Sequence, residues 1–452
     1  YRSVGCERKE MNLVLNYAKK IAVPSQRLQK EKQQIARKVC GLINESIGKY
    51  NQIVGFALGG SYAKDTWLPE KADIDIFVKF NKKTSEKDFR SIGTKIGFES
   101  LKKYKPYTRY AEHPFVEAVV NGTKVNVVPC YDVNVGEWQS ATDRSIHHTK
   151  FMSKKLTNSM KDEVRILKKF FLHIDVYGAE LAKEGFSGYV SEVLISYFGN
   201  FEKTLKKISK LKKGDVIGKS AKKFSSSIVI IDPIDSNRNL GAAISVESLG
   251  KFVLASREFL KKPSKKFFKK PIPKRNMKNI DKIVVVQFKF KQRSDDIIWG
   301  QIKRASNALK TQLELDGFTV LRNSSAKDEK ENGALIFLLQ TKKIEESFVR
   351  VGPNISSEDH CEKFISANLK RSQLMWINEE NKIQSLQKRK YSDVILFLNN
   401  LLKTNLKNSG IPKGLEKDFK KGVKIVHANK VSNKSINEAI RNIAVTDETI
   451  FS

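Results

Sequence analysis

The first 145 residues alternate between helical and extended hydrophobic patterns. Residues 7–50 carry helical periodicity that is interrupted at Pro24-Ser25, where Ser25 is a plausible cap for the second helix. The rest of the region reads, in order, as a strand ending in Gly-Gly, a short helix, a strand DIDIFVKF, a helix from Ser85 to Tyr104, and two strands joined by Asn121-Gly122. Asn-Gly between two apolar runs is a strong hairpin signal. The pattern predicts a mixed sheet with helices on it.

A second region, starting near Ser145, is mainly helical. In KDEVRILKKFFLHIDVYG (161–178), one helical stripe carries Val164, Leu167, Phe171 and Ile174. Another amphipathic helix is predicted over the run FSGYVSEVLISYFGNFEKTLKKI (186–208). The apolar run IVIID then ends in a polar turn, DPIDSNRN, before a helix predicted from about Val246 to Leu260.

Residues 261–275, KKPSKKFFKKPIPKR, are rich in Lys and Pro and indicate a boundary. Beyond it, a strand, a helix and two strands succeed one another, an order that predicts a small α+β sheet domain. Residues from about 355 to 452 read as mostly helical. The four regions, 1–145, 146–262, 263–354 and 355–452, together predict a multidomain α+β protein.

The net positive charge of the chain indicates a negatively charged partner. The 84 Lys and Arg residues outnumber the 49 Asp and Glu residues, which gives a net charge of +35. Because the lysines cluster, the excess favours a polyanion such as nucleic acid over a merely solvating surface. The basic clusters lie at 201–215, 219–224, 261–275 and 408–424, all beyond the first region. Each run taken alone is equally typical of a solvated face.

The four cysteines are scattered and lack CxxC spacing, which favours reduced thiols in a cytoplasmic protein over a disulfide framework or a zinc site. No apolar run is long enough to predict a membrane span, and no signal peptide is visible. We therefore expect no membrane partner.

The candidate chemistry lies in residues 59–75, GGSYAKDTWLPEKADID. On a strand, Asp73 and Asp75 project to the same side, and two adjacent carboxylates suit Mg²⁺, a hard cation that accepts oxygen ligands. Gly60 lets the backbone approach a phosphate closely, and Ser61 at the helix start offers a hydroxyl and an N–H to it. A solvated edge strand beside a simple turn is the bland alternative. The two halves together predict a site for a triphosphate and its metal.

GGSYAKDTW…DIDIFVKF resembles the nucleotidyltransferase signature of DNA polymerase β-like enzymes. The longer run is similar to the archaeal (class I) CCA-adding enzymes, the tRNA nucleotidyltransferases. The likeness continues through RYAEHPFVEAVVNGTKVNVVPCYDV, SATDRSIHH, EVRILKKFF, VYGAE, GFSGYVSEVLI, IIDPIDSNRN and VRVGPN, and covers most of residues 10–355. It implies a polymerase-β-like catalytic head, a helical neck that recognises the nucleotide, an α+β RNA-binding body and a helical tail, matching the four regions above.

The resemblance also implies residue roles. It places the triphosphate on Ser61 and Lys64, the metal on Asp73 and Asp75, and base discrimination between CTP and ATP on Arg238 and Asn239. Lys64 stands where the family usually has Arg, which keeps the charge but loses the bidentate fork. Further contacts to the incoming nucleotide are implied for His147, Lys168 and Tyr177, with His113 nearby. Each of these also has a plain reading as a surface, turn or packing residue.

One position departs from the family. The third metal acid falls on Asn126 in VNVVPCY, which has no negative charge, so the metal that activates the attacking 3′-hydroxyl should bind more weakly. A deliberate substitution, an active natural variant and an inactive protein all remain open. Asp132 is close in sequence, but its position past Pro129 makes it a doubtful substitute.

The resemblance implies addition of C, C and A to the 3′ end of tRNA, with CTP, ATP and Mg²⁺, and a grip on the acceptor-side arm by shape and backbone. It leaves a homodimer open. Two other readings are a poly(A) polymerase or oligoadenylate synthetase of the same superfamily, and a tRNA-binding protein whose active site has decayed.

Overall fold

The computed structural model describes residues 4–109, 114–212, 214–220, 222–269, 277 and 279–451. The chain divides into two compact units. The first comprises Tyr1–Pro273, Ser294–Asp296 and Asp447–Ser452, and the second comprises Lys274–Arg293 and Ile297–Thr446.

Two helices open the first unit, α1 (Val4–Ala22) and α2 (Gln26–Ile47). The Ser25 Oγ accepts a hydrogen bond from the Leu28 N–H at 3.3 Å and so caps α2. The predicted interruption at Pro24-Ser25 is confirmed.

A mixed five-stranded sheet follows, in the order β1-β2-β5-β4-β3. Its elements are β1 (Ile53–Gly59), α3 (Gly60–Ala63), β2 (Ile74–Phe80), α4 (Glu86–Leu101), β3 (Tyr107–Arg109), β4 (Phe115–Val120) and β5 (Thr123–Tyr131). Strands β2 and β5 are parallel, whereas the other neighbours are antiparallel. Asn121 and Gly122 both have positive φ, 48° and 74°, as a tight hairpin turn requires. The predicted mixed sheet and hairpin are confirmed.

One face of this sheet is packed against α2 and α4. Ile74, Ile76 and Val127 are fully buried there, in a core shared with side chains of both helices. Since side chains alternate along a strand, the odd-numbered residues of β2 project from the opposite face.

The helical part of the first unit has a core rich in phenylalanine. Its elements are α5 (Asp143–Lys155), α6 (Asn158–His173), α7 (Gly188–Phe198), α8 (Phe201–Ile208), β6 (Val216–Ile217), β7 (Val229–Asp232), β8 (Asp235–Asn239) and α9 (Val246–Lys261). The stripe predicted on α6 is buried throughout. The single helix predicted over residues 186–208 is wrong, because Gly199 has a φ of +90° and divides it into α7 and α8. Phe267 and Phe268 join the same core, with the Phe267 ring stacked on Phe170 at 5.5 Å, so they anchor the chain within the core.

The second unit contains two antiparallel sheets. Its elements are β9 (Ile283–Lys289), α10 (Asp295–Leu315), β10 (Val320–Lys327), β11 (Asn332–Leu339), β12 (Ser347–Asn354), α11 (Glu358–Asn368), β13 (Ser372–Ile377), β14 (Lys382–Lys388), α12 (Val394–Asn399), α13 (Lys413–Lys420), β15 (Val423–His427) and α14 (Lys434–Ala444); α15 (Glu448–Phe451) returns to the first unit. The strand orders are β10-β11-β9-β15 and β12-β14-β13. The predicted order of strand, helix and two strands is confirmed in β9, α10, β10 and β11.

Beside its helices, the tail contains three strands that the sequence did not predict, β13, β14 and β15. The buried positions of β14 are partly polar, since Gln384, Ser385 and Gln387 are all buried, so hydrophobic alternation is weak. The boundary expected after residue 354 separates β12 from its partner β14, and the one expected after residue 145 falls inside α5. The four-domain division stays a prediction.

Within the described ranges, no helix is long and apolar enough to cross a membrane. The cysteines whose side chains are described, Cys40, Cys130 and Cys361, are free thiols, as the scattered spacing predicts.

Candidate active site

The glycine turn and the second aspartate are in direct contact. Strand β1 pairs with β2 so that Gly59 lies opposite Asp75, and α3 begins at the next residue, Gly60. Gly60 has a φ of +64°, and a Cβ at this position would lie 1.9 Å from the Asp75 Oδ2. Only glycine therefore allows the turn to approach the carboxylate this closely.

Asp75, the second residue of β2, projects from the face opposite α2 and α4, whereas Asp73 lies just before the strand and is exposed. Burial raises the pKa of the Asp75 carboxyl, the hydrogen bond from Asn126 lowers it, and the charge of Asp73 raises it again. Burial likewise raises the pKa of Asp73. Mutual repulsion between two partly desolvated carboxylates is relieved by a cation.

Asn126 lies beside Asp75 on the parallel strand β5. Its Nδ2 donates to the Asp75 Oδ1 at 2.8 Å. Its Oδ1 is buried and has no hydrogen-bond partner among the described residues. A buried carbonyl oxygen without a donor calls for a ligand or a water.

These oxygens fit a divalent cation. The Asp75 Oδ2 at the glycine turn and the orphaned Asn126 Oδ1 are hard oxygen donors on paired positions of β2 and β5, and the exposed Asp73 carboxylate adjoins them just before β2. Two carboxylates and one neutral oxygen leave positions for phosphate oxygens. Across the described residues, no group of three or more His, Cys, Asp or Glu residues is placed to hold a metal, so the neutral Asn126 matters.

Asp132 does not join this group. It pairs with Lys79 at 3.0 Å, and Lys79 lies four residues along β2 from Asp75, a separation of about 13 Å on a strand. The doubt raised by the sequence is supported.

Lys64 ends α3 and is buried. Its Nζ lies 2.5 Å from the Glu192 Oε2 and 5.2 Å from the centre of the Tyr189 ring. Ser61 lies in the first turn of α3, and its carbonyl accepts the Thr66 N–H at 3.0 Å. Both residues thus adjoin the turn that contacts Asp75, with Lys64 held in an ion pair.

Glu192 joins the two lysines beneath this turn. The Lys168 Nζ donates to the Thr66 carbonyl at 2.9 Å and to the Glu192 Oε1 at 3.3 Å, and the Thr66 hydroxyl donates to the same Oε1 at 2.6 Å. Burial lowers the pKa of Lys168 to about 8, although Glu192 opposes this change. Burial alone would raise the pKa of Glu192, but Lys64 and Lys168 hold it below its ordinary value.

Tyr177 lies next to Lys168. A Cβ on Gly188 would lie 3.0 Å from the Tyr177 hydroxyl and 3.5 Å from the Lys168 Nζ. Burial raises the pKa of Tyr177, so its hydroxyl stays protonated, and Lys71 lies 4.9 Å over its ring. Gly188 therefore gives both groups room at the start of α7.

A second network centres on the buried Asp232 at the end of β7. Its Oδ2 lies 2.8 Å from the His148 Nε2 and accepts from the Arg238 Nη1 at 3.1 Å, while its Oδ1 accepts from the Tyr189 hydroxyl at 3.1 Å. The His148 and Tyr189 rings stack at 3.9 Å. This network connects the predicted base-recognition residue Arg238 to the ring that faces Lys64.

The other predicted nucleotide contacts are placed differently. His147 directs its Nε2 to the Val133 carbonyl at 2.9 Å. The Asn239 Oδ1 accepts from the Ile230 and Gly241 N–H groups, both at 2.8 Å, so its amide holds its own turn. His113 lies outside the described residues. The roles of all three stay predictions.

Sequence reasoning missed His148, Tyr189, Glu192 and Asp232. The signals in the sequence were weak. His148 belongs to a doubled histidine, Tyr189 and Glu192 are polar residues inside an apolar helix, and Asp232 is an acid at the end of an apolar run. A buried carboxylate needs a cationic or donor partner, but only the fold identifies that partner.

Three family models match successive parts of the chain. They are the nucleotidyltransferase domain over residues 40–150, the second domain of tRNA nucleotidyltransferase over 162–269, and the C-terminal domain of CCA-adding enzyme over 281–428. A solved RNA terminal U-transferase also aligns, at 13% identity and a TM-score of 0.45 over 59% of this chain and 100% of its own, a likeness too weak to carry an argument.

Curated relatives match most of the chain. The CCA-adding enzyme of Pyrobaculum islandicum is 33% identical over 84% of this chain and 91% of its own length. Those of Sulfurisphaera tokodaii and Saccharolobus islandicus are 35% and 36% identical, over 82% and 79% of this chain and 88% and 85% of their own lengths. The chain belongs to the archaeal CCA-adding enzymes, a family of tRNA nucleotidyltransferases.

Proposed function

We propose that this chain adds C, C and A to the 3′ end of tRNA from CTP and ATP, releasing pyrophosphate at each step, with Mg²⁺ as its cation. Membership of the CCA-adding family supports the reaction. The observation that carries the site is the contact between the Gly60 turn and Asp75. It places a backbone able to approach phosphate against a carboxylate able to hold the cation.

The proposed chemistry is attack of the tRNA 3′-hydroxyl on the α-phosphorus, with pyrophosphate leaving. When bound, Mg²⁺ neutralises charge on the phosphate oxygens. Asp73, Asp75 and the Asn126 Oδ1 would hold it. Gly60 and Ser61 would seat the triphosphate, with Lys64 and Lys168 supplying positive charge from beneath. Because Asn126 is neutral, we expect weaker cation binding than three carboxylates would give.

Protein groups would select the base. Arg238 lies on β8, with its side chain 43% exposed, and pairs with the buried Asp232. Asp232 is fixed in turn by His148 and Tyr189. A guanidinium anchored at one end and open to solvent at the other suits hydrogen bonding to a base edge. Tyr177, His147, Asn239 and His113 remain proposed nucleotide contacts.

The acceptor-side arm and 3′ end of tRNA would be bound by exposed lysines. On α8, Phe201, Leu205 and Ile208 are buried, whereas Lys203 and Lys207 are exposed. On α13, Lys413, Lys417 and Lys420 are exposed as well. Basic faces of this kind suit the phosphates of double-helical RNA, whose deep groove hides its base edges.

Extension of a tRNA that ends at its discriminator base tests this proposal. With CTP and ATP, we expect three added nucleotides of sequence CCA and then a stop. Open-ended addition of A from ATP alone would favour a poly(A) polymerase or oligoadenylate synthetase. No extension by the chain or by its Asn126→Asp form, together with tRNA binding, would favour a decayed site.

Three accompanying expectations stay predictions. A homodimer is tested by light scattering of the purified chain. A cytoplasmic location is tested by fractionation of the source cells. The four-domain division is tested by limited proteolysis at residues 261–275.

A further inference from the structure

A row of three polar side chains crosses the catalytic sheet. Asn126 on β5 lies opposite Asp75 on β2 and, on its other side, opposite Glu117 on β4. Directly opposed residues share one face of a sheet. The neighbours of Glu117, Val116 and Ala118, are fully buried, with Ala118 in the core under α2 and α4. Glu117 therefore projects from the face that carries Asp75.

Glu117 is buried, and its two carboxylate oxygens have different partners on β3. It is 5% exposed, and its described partners are the Tyr107 hydroxyl and the Arg109 Nε, the latter at a long 3.4 Å. The Arg109 side chain is 40% exposed, so this ion pair is one that solvent screens. The oxygen that faces Arg109 is therefore the one that a cation can take over, while the Tyr107 hydroxyl keeps the other.

Asn126 lies between the two acids in the sheet register, and its Oδ1 is buried with no hydrogen-bond partner in the described part of the chain. Neighbouring strands are about 4.8 Å apart, and glutamate reaches one methylene further than aspartate. Asn126 lacks the negative charge that a cation site favours, while the carboxylate of Glu117 lies on the neighbouring strand.

Resting on the proposed function, we propose that Glu117 is a further ligand of the catalytic cation, supplying from β4 the third carboxylate that Asn126 does not provide. Glu117 would leave Arg109 when the cation binds. The competing role is structural: Glu117 would hold β3 against β4 through Tyr107 and Arg109.

Titration of the full chain with Mn²⁺, followed by electron paramagnetic resonance, separates the two roles. Removing a ligand charge lowers cation affinity, so Glu117→Gln should weaken Mn²⁺ binding by about tenfold or more. Restoring the charge on β5 should recover it, so the double variant Glu117→Gln/Asn126→Asp should bind nearly as tightly as the unaltered chain. Arg109→Gln frees the carboxylate and should not weaken binding.

Glu99→Gln is the matched control, because Glu99 also accepts a hydrogen bond from a tyrosine hydroxyl, that of Tyr50 at 3.2 Å, but on α4. Should Glu117→Gln unfold, Glu117→Asp keeps the charge, withdraws it by a methylene, and should also weaken binding. Unchanged affinity in a folded Glu117 variant, or an equal loss in Arg109→Gln, would overturn the proposal. Since tRNA extension by the unaltered chain is scored separately, failure of the proposed function would be recognised independently.

Discussion

At the scale of single residues, the site depends on close approaches that allow little substitution. Gly60 combines a left-handed backbone with a carboxylate where its Cβ would be. Glu192 compensates two buried lysines at once. These two positions make different predictions, one steric and one electrostatic.

Gly60→Ala should lower kcat/KM for CTP addition by about 100-fold or more, because a misplacement of about 1 Å in a phosphoryl-transfer site has that effect. The added Cβ must displace the Asp75 carboxylate. Steady-state kinetics on a tRNA primer measure the loss. Gly122→Ala is the control, since Gly122 has a similar φ of +74° with nothing within 4 Å of its Cβ. An equal loss in both variants would point to backbone strain alone.

The charge of Lys168 predicts a pH dependence. Its pKa is about 8, so its positive charge is present below pH 8 and is lost as pH rises through that value. Since the proposed role of Lys168 is to attract the triphosphate, the KM for CTP should rise over this interval. Glu192→Gln removes a charge that keeps the pKa up, so the rise should begin at lower pH. A KM profile that is identical in both forms from pH 6.5 to 9.5 would refute this coupling.

At the scale of elements, the last two residues of β8 have different roles. Arg238 is exposed and paired with Asp232. The side-chain amide of Asn239 instead forms hydrogen bonds with Ile230, Gly241 and Ser226. The sequence predicted both residues as base contacts. The structure adds that Asn239 also builds the turn.

Asn239→Ala should therefore lower stability, while Arg238→Ala should alter base choice. Loss of the Asn239 bonds leaves partly buried N–H groups unsatisfied, which costs about 2 kcal/mol of unfolding free energy. Urea unfolding followed by circular dichroism measures it, and Asn237→Ala on the same strand, an exposed position, is the control. For Arg238→Ala, the ratio of CMP to AMP incorporation is the readout. A stable Asn239→Ala with altered base choice would reverse the assignment.

Sequence patterns predicted the helices, strands and turns better than the long-range contacts between them. The α6 stripe, the Asn121-Gly122 hairpin and the Ser25 cap follow from local periodicity and turn chemistry. The strands of the tail could not be predicted in this way. Gln384 and Ser385 are polar although they are buried, and the register of β14 depends on β12, which is distant in sequence. In the site, spacing predicted the acids at 73 and 75. It could not reveal that Lys64 pairs with Glu192, which lies 128 residues away.

At the scale of the whole molecule, the charge of +35 gives a thermodynamic signature. Binding of tRNA should weaken steeply with salt, because each neutralised phosphate adds about 0.7 to 0.9 to the slope of log K against log salt. Lys207→Gln with Lys210→Gln should reduce that slope by about 2 if both contact phosphates. Lys83→Gln with Lys87→Gln, an equal change in net charge at exposed lysines before and on α4, should leave it unchanged. Equal effects would show that only total charge matters.

The central claim is that the carboxylate held against the glycine turn binds the cation that accompanies the triphosphate. Calorimetric titration of CTP with and without Mg²⁺ tests it most directly, on the unaltered chain, on Asp75→Asn and on Asp132→Asn, whose side chain pairs with Lys79. We predict that Mg²⁺ strengthens CTP binding in the unaltered chain and in Asp132→Asn, and that this gain is lost in Asp75→Asn. A full Mg²⁺-dependent gain in Asp75→Asn would contradict the account.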